Sequence, residues 1–132
     1  MNVLIADDDP FMIRLLSSGL RRNGFETYLA YDVLQATQMI QRHQIDAVVL
    51  DISMPGGSGA EVIRRLRMFK QTVNIPIVVV SGTVGDDARK KLLDMGADDF
   101  FPKPADIEQL AASVRRLIRL RADAVEAETR EL

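Results

Sequence analysis

A doubly wound α/β sheet of five parallel strands with five helices is predicted by three observations. Five short apolar runs alternate with five amphipathic stretches over the 132 residues, the pattern of a parallel sheet with crossover helices. Two of the runs, Ala47–Leu50 and residues 77–80, are unbroken apolar segments rich in Val, Ile and Leu, which suits central strands covered on both faces. Acidic residues follow two of the runs directly, Asp7-Asp8-Asp9 after residues 3–6 and Asp51 after Leu50. Ligands in such sheets sit beyond the carboxyl ends of the strands.

Taken in order, residues 3–6 form the first strand. The first helix runs from Pro10 to about Arg22, with Asp9 as its cap, Pro10 in its first turn and Gly24 after its end. Its apolar side is expected to be Phe11, Met12, Leu15, Leu16 and Leu20. Glu26–Ala30 is the second strand. Asp32 caps the second helix, whose apolar face is Val33, Ala36, Met39 and Ile40, and His43 near its end reads as an ordinary solvated residue. After the third strand, the third helix starts near Gly59 and is expected to bury Val62, Ile63, Leu66 and Phe69.

Residues 77–80 form the fourth strand. Asp86 or Asp87 opens the fourth helix, with Ala88, Leu92 and Met95 expected inward and Gly96 closing it. Residues 99–101 form the fifth strand. The fifth helix begins after Lys103-Pro104, with Asp106 and Gln109 in capping-box spacing and Ile107, Leu110, Val114, Leu117 and Ile118 at helical period. Residues 121–132 continue the pattern with Ala, Glu and Arg, and Glu126 and Arg130 stand at i, i+4. The expected division is a domain over 1–120 and a solvated helical extension or linker over 121–132.

The bulk properties exclude several function classes. With 17 basic against 19 acidic residues the formal charge is −2, which gives no general attraction to nucleic acid or an anionic membrane. Absence of cysteine removes disulfides, thiolate metal sites and cysteine nucleophiles. No run approaches the roughly 18 apolar residues of a membrane span, so a cytoplasmic location is expected. The basic groups Arg64, Arg65, Arg67 and Arg115, Arg116, Arg119 read as solvated helix faces that can at most help dock an acidic partner.

If the first and third runs are neighbouring strands, the carboxylates of Asp7, Asp8 and Asp51 converge. Two unit charges about 4 Å apart at an effective dielectric of about 20 repel by roughly 4 kcal/mol. A compensating cation is needed, and a hard divalent ion with oxygen ligands, Mg²⁺ first, suits carboxylates.

The strand ends then supply, in order, Asp7 and Asp8, Asp51, Ser81 and Lys103. With Met54-Pro55 and Gly59 after Asp51, Gly82 after Ser81 and Pro104 after Lys103, this set resembles the receiver domain of two-component response regulators over about residues 2 to 120. The resemblance implies that the domain over 1–120 is a receiver, with a flavodoxin-like fold and Asp51 as a phosphoacceptor taking a phosphoryl group from a phosphohistidine. It implies Mg²⁺ held directly by Asp8, Asp51 and the main-chain carbonyl of Ser53, with Asp7 acting through a metal-bound water. Lys103 would pair with Asp51 and then with the phosphoryl group, and Ser81 would donate its hydroxyl to another phosphoryl oxygen. Phe100 would fill the space that Ser81 leaves and act as a switch. A cis Lys103-Pro104 bond would aim the lysine inward. Ser53 and Thr83, both small and neutral, would let water reach the acyl phosphate, and Gly56-Gly57 would loosen the loop after Pro55.

Partners implied are a sensor histidine kinase or a histidine phosphotransfer domain, and a second copy docking through the face of the fourth helix, fifth strand and fifth helix. No direct nucleic-acid contact is expected. The only turnover would be slow self-dephosphorylation. Two rival readings differ in class. Asp7-Asp8-Asp9 also matches the Asp-x-Asp of haloacid-dehalogenase-type phosphatases, but the chain lacks a second acidic cluster on a later strand and a cap domain. A binding module of the same fold would not need the full acid, hydroxyl and lysine set.

Overall fold

A computed structural model describes residues 1–54, 59–82 and 85–130. Pro55, Gly56, Gly57 and Thr83, which carried expectations above, lie outside the described residues. The elements alternate as β1 (Asn2–Ala6), α1 (Pro10–Arg22), β2 (Glu26–Ala30), α2 (Val33–Arg42), β3 (Ala47–Leu50), α3 (Gly59–Met68), β4 (Ile77–Ser81), α4 (Asp86–Met95), β5 (Asp99–Pro102) and α5 (Ile107–Arg130). All strand pairs are parallel, in the order β2-β1-β3-β4-β5. The fold is therefore the five-stranded flavodoxin-like one expected, with β1, β3 and β4 central and their carboxyl ends side by side.

Because strand side chains alternate between faces, the sheet divides its apolar residues into two cores. Leu4, Ala6, Val48, Leu50, Ile77 and Val79 meet α2, α3 and α4 through Ala36, Val62, Ile63, Leu66 and Leu92. Val3, Ile5, Ala47, Val49, Val78 and Val80 meet α1 and α5 through Ile13, Leu16, Leu20, Leu110, Ala111 and Val114. Gly19 sets the α1–α5 approach, since a Cβ there would come within 2.3 Å of Ile107 Cγ2.

The helix caps follow from local chemistry. Asp9 Oδ1 accepts from Phe11 N–H at 2.9 Å, and Asp32 Oδ1 accepts from Gln35 N–H at 2.7 Å. Asp106 Oδ1 accepts from Glu108 and Gln109 N–H at 3.0 and 3.2 Å. Gly96 ends α4 at φ 121°, a left-handed backbone that favours glycine. Gly85, which lacks a capping side chain, precedes α4, and Asp86 and Asp87 occupy its first turn. The helix α5 runs unbroken through residue 120, and Glu126 pairs with Arg130 at 2.6 Å. No helix among the described residues is long and apolar enough to cross a membrane.

Several side chains expected inward face solvent. Phe11 is 67% exposed and Leu15 44%, because Ile13, with Leu16 and Leu20, turns the buried arc of α1 away from them. Phe69, 55% exposed, falls just past the end of α3, and Ala88 is exposed on α4. Two arginines expected on solvated faces are structural. Arg67 donates to Gly96 O twice and to Val73 O and Ile75 O, and pairs with Asp98. Arg115 donates to Asn23 O at 2.7 Å with its guanidinium 5.2 Å from the Phe25 ring centre. His43 is exposed, as expected, and its ring lies 4.4 Å from that of Tyr28.

Candidate functional site

Strand order puts the ends of β1, β3 and β4 next to one another, so residues following them share one edge. Asp7 follows β1, Asp51 follows β3, Ser81 ends β4 and Lys103 follows β5. Asp7, Asp51 and Ser81 are 1%, 5% and 3% exposed, an arrangement that water-loving groups adopt only with partners. Asp51 is held from several sides. Its Oδ1 accepts from Ser53 N–H at 3.2 Å and from the Ser81 hydroxyl at 3.3 Å, and its Oδ2 lies 3.3 Å from Lys103 Nζ. Its main-chain N–H donates to Ala6 O at 2.8 Å, which ties the residue to the end of β1.

Behind Asp51, the start of α3 packs against its backbone. A Cβ on Gly59 would stand 2.6 Å from Asp51 O and from Ile52 Cα, so only glycine fits without moving them. Asp7 Oδ1 accepts from Asp9 N–H at 2.9 Å, and Asp7 Oδ2 lies 2.9 Å from Lys103 Nζ. That second contact is an ion pair without hydrogen-bond alignment: Asp7 Oδ2 is buried and accepts no hydrogen bond among the described residues. The Lys103-Pro104 peptide is cis.

The electrostatics follow from this packing. Burial pushes the Asp7 carboxyl above its usual range, helped by the nearby charge of Asp51. The Asp9 N–H and Lys103 oppose the shift without cancelling it. For Lys103 burial is the largest single influence and would lower its value. The carboxylates of Asp7 and Asp51 together outweigh it and hold the ammonium above its ordinary range.

Carboxylate oxygens of Asp7, Asp8 and Asp51 lie within 4.8 Å of one another, with Asp8 exposed beside the two buried acids. An all-oxygen set with one open side and a buried acceptor that, though ion-paired with Lys103, takes no hydrogen bond among the described residues fits a hard divalent cation. Of the other expected site residues, Ser53 is exposed with its N–H on Asp51. Phe100 stands on β5, half-buried against the α2–α4 core, with the Arg89 guanidinium 5.6 Å from its ring centre. Gly82 has open space where a side chain would be. Asp9 is the helix cap expected of it and stands outside the acidic cluster.

The chain is similar to known proteins in sequence and in fold. The profile described as "Response regulator receiver domain" matches residues 3–115. "Transcriptional regulatory protein TctD" of Salmonella typhimurium is 38% identical over 125 residues, which is 95% of this chain and 55% of the relative. "Response regulator MprA" of Mycobacterium leprae is 40% identical over 119 residues, 90% of this chain and 51% of the relative. The chain thus spans about half the length of the curated relatives it matches. Among solved structures, the Francisella response regulator 1452 receiver domain superimposes with TM-score 0.82 at 30% identity, covering 89% of this chain and 96% of that one. A CheY-like receiver domain from Methanospirillum hungatei JF-1 gives TM-score 0.85 at 20% identity, covering 93% and 97%, a likeness of fold.

Proposed function

The chain belongs to the response regulator receiver domain family, a regulatory domain of two-component signalling, and on that premise we propose that Asp51 is its phosphoacceptor. The observation that carries this reading is the position of Lys103 Nζ, 3.3 Å from Asp51 Oδ2 and 2.9 Å from Asp7 Oδ2. A cation fixed there neutralises the charge that gathers on phosphoryl oxygens during transfer.

An Asp51 carboxylate oxygen attacks phosphorus in line. The new P–O bond forms as the P–N bond to the donor imidazole breaks, and that electron pair returns to the ring nitrogen. Lys103 then follows the charge from the carboxylate onto a phosphoryl oxygen. The Ser81 hydroxyl, whose present bond to Asp51 is long at 3.3 Å, turns to donate to another. Asp8, Asp51 and the Ser53 carbonyl would hold Mg²⁺ directly, with Asp7 behind them through a metal-bound water. When bound, the ion supplies positive charge that offsets both carboxylate repulsion and the phosphoryl group. Ser53, exposed and neutral, leaves water a path to the acyl phosphate, which supports slow self-dephosphorylation.

The donor is a phosphohistidine of a sensor kinase or phosphotransfer domain, acting in the cytoplasm. Phe11 and Leu15 support such docking, because they expose apolar surface on the helix that starts beside the acids. Movement of Ser81, with Phe100 following, biases the α4–β5–α5 face toward a partner or a second copy. TctD is named a transcriptional regulator; we read residues 1–120 as the phosphorylated unit and 121–132 as an extension through which a similar output could be governed.

Incubation with acetyl phosphate and Mg²⁺ followed by intact mass tests the assignment. A base-labile phosphoryl adduct is expected, absent without the ion and absent in Asp51→Asn. An adduct that survives Asp51→Asn overturns it.

A further inference from the structure

A groove of about 570 Å³ opens between α2 and α3, away from the acids. Ile40, Val62 and Leu66 line it, and Met68 and Phe69, 62% and 55% exposed, stand on its wall. Apolar side chains of this size left in water around a concavity mark a contact surface. The surroundings are cationic. Arg64 and Arg65 both lean on the single acid Glu61, leaving one positive charge in excess, and Arg42 and Lys70, next in sequence to the lining residues Gln41 and Phe69, are exposed. An acidic segment with an apolar stripe is the complement.

The molecule carries such a segment, and among the described residues its apolar stripe is exposed. Beyond the body of the domain, Leu120, Ala124 and Ala127 fall at i, i+4 and i+7 on α5, all exposed, with Asp123 and Glu128 on either side of the stripe. Neither acid has an ion-pair partner among the described residues, whereas Glu126 pairs with Arg130. A helix of this kind lays its apolar positions into a groove. It is not drawn to its own groove, since α5 packs on the opposite face of the sheet from α2 and α3, and Arg121, where it nears α3, meets the like charge of Arg67. Pairing with the same helix of a second copy in parallel is opposed by charge. With Leu117, Leu120, Ala124 and Ala127 at the seam, the flanking cross-pairs are Arg116 with Arg121 and Asp123 with Glu128, both like-charged.

We propose that the α2–α3 groove receives the acidic end of α5 from a second copy of this chain. The contact uses neither Asp51 itself nor the part of α5 that belongs to the α4–β5–α5 face.

Sedimentation equilibrium of the full chain at low and high salt tests it. Association that rises with concentration and weakens with salt is expected. Phe69→Ser, or Asp123→Lys together with Glu128→Lys, should each weaken it at least about tenfold, a change of about 1.4 kcal/mol. These positions are exposed, so circular dichroism should be unchanged, and labelling by acetyl phosphate should proceed as in the native chain. Mixing the tail-reversed chain with Arg64→Glu, Arg65→Glu should restore association. A native chain that stays monomeric throughout, or an association untouched by both the groove and the tail substitutions, overturns the proposal and leaves the reading of Asp51 unaffected.

Discussion

Lys103 and Arg67 are cations at opposite edges of one sheet, each with a side chain 19% exposed and each beside an aspartate. Their surroundings nevertheless differ in kind. Arg67 spends its donors on fixed backbone acceptors, the carbonyls of Val73, Ile75 and Gly96, with Asp98 completing the set and also accepting from Ile77 N–H. Burial, the largest influence, lowers its value. Lys103 faces two carboxylates and no carbonyl among the described residues, one of them with a buried oxygen lacking a hydrogen bond, and its value is raised. A planar fork satisfied by main chain is a strut that holds the loops before β4 and β5. A point charge shared between two acids can be transferred to a third anion without leaving a backbone group unpaired.

The largest expected effect tests that difference at the lysine. Lys103→Ala should slow Asp51 phosphorylation by acetyl phosphate about 100-fold, the scale of losing a group that stabilises developing charge, while the chain still folds. Intact-mass time courses measure it, and an unchanged rate would make Lys103 another strut. Next comes Arg67→Met, which strands three carbonyls and Asp98 and should cost about 2 to 3 kcal/mol in urea unfolding, with phosphorylation kept. A loss of phosphorylation without a loss of stability would reverse the two roles.

The smallest effect concerns Asp7. Its folded value lies above the ordinary 3.8 because of burial, so the folded chain holds that proton more tightly than the unfolded one. The resulting penalty is absent below the unfolded value and complete once pH has risen past the folded value. Asp7→Asn should therefore raise the urea midpoint at neutral pH, and the gain should vanish in acid. Lys103 runs the other way: its contribution is present below 10.5 and is lost as pH rises through the higher folded value.

Much of the architecture was legible because it is local. Apolar runs at strand length, Asp9, Asp32 and Asp106 before helical periods, and Gly96 after one each act through neighbours in sequence. The gathering of Asp7, Asp51, Ser81 and Lys103 was legible only through strand order, which alternation of strand and helix restricts to few arrangements. What escaped was non-local. On α1 more apolar residues compete than one arc can bury, and although Ile13, Leu16 and Leu20 keep helical spacing, so do Phe11 and Leu15, and only the packed sheet selects the first set. Arg67 reads as solvated in the sequence because its acceptors come from chain segments at 73, 75, 96 and 98 that only the fold brings to it.

The helix α5 starts at Ile107, four positions after the pocket lysine, and its 24 residues run without a break, about 36 Å at 1.5 Å per residue. Such a rod can serve as a pointer with its base beside the Asp51 pocket. A tilt of about 5° at its base sweeps the far tip through about 3 Å over that length, enough to disengage side chains meeting there while the sheet itself scarcely deforms.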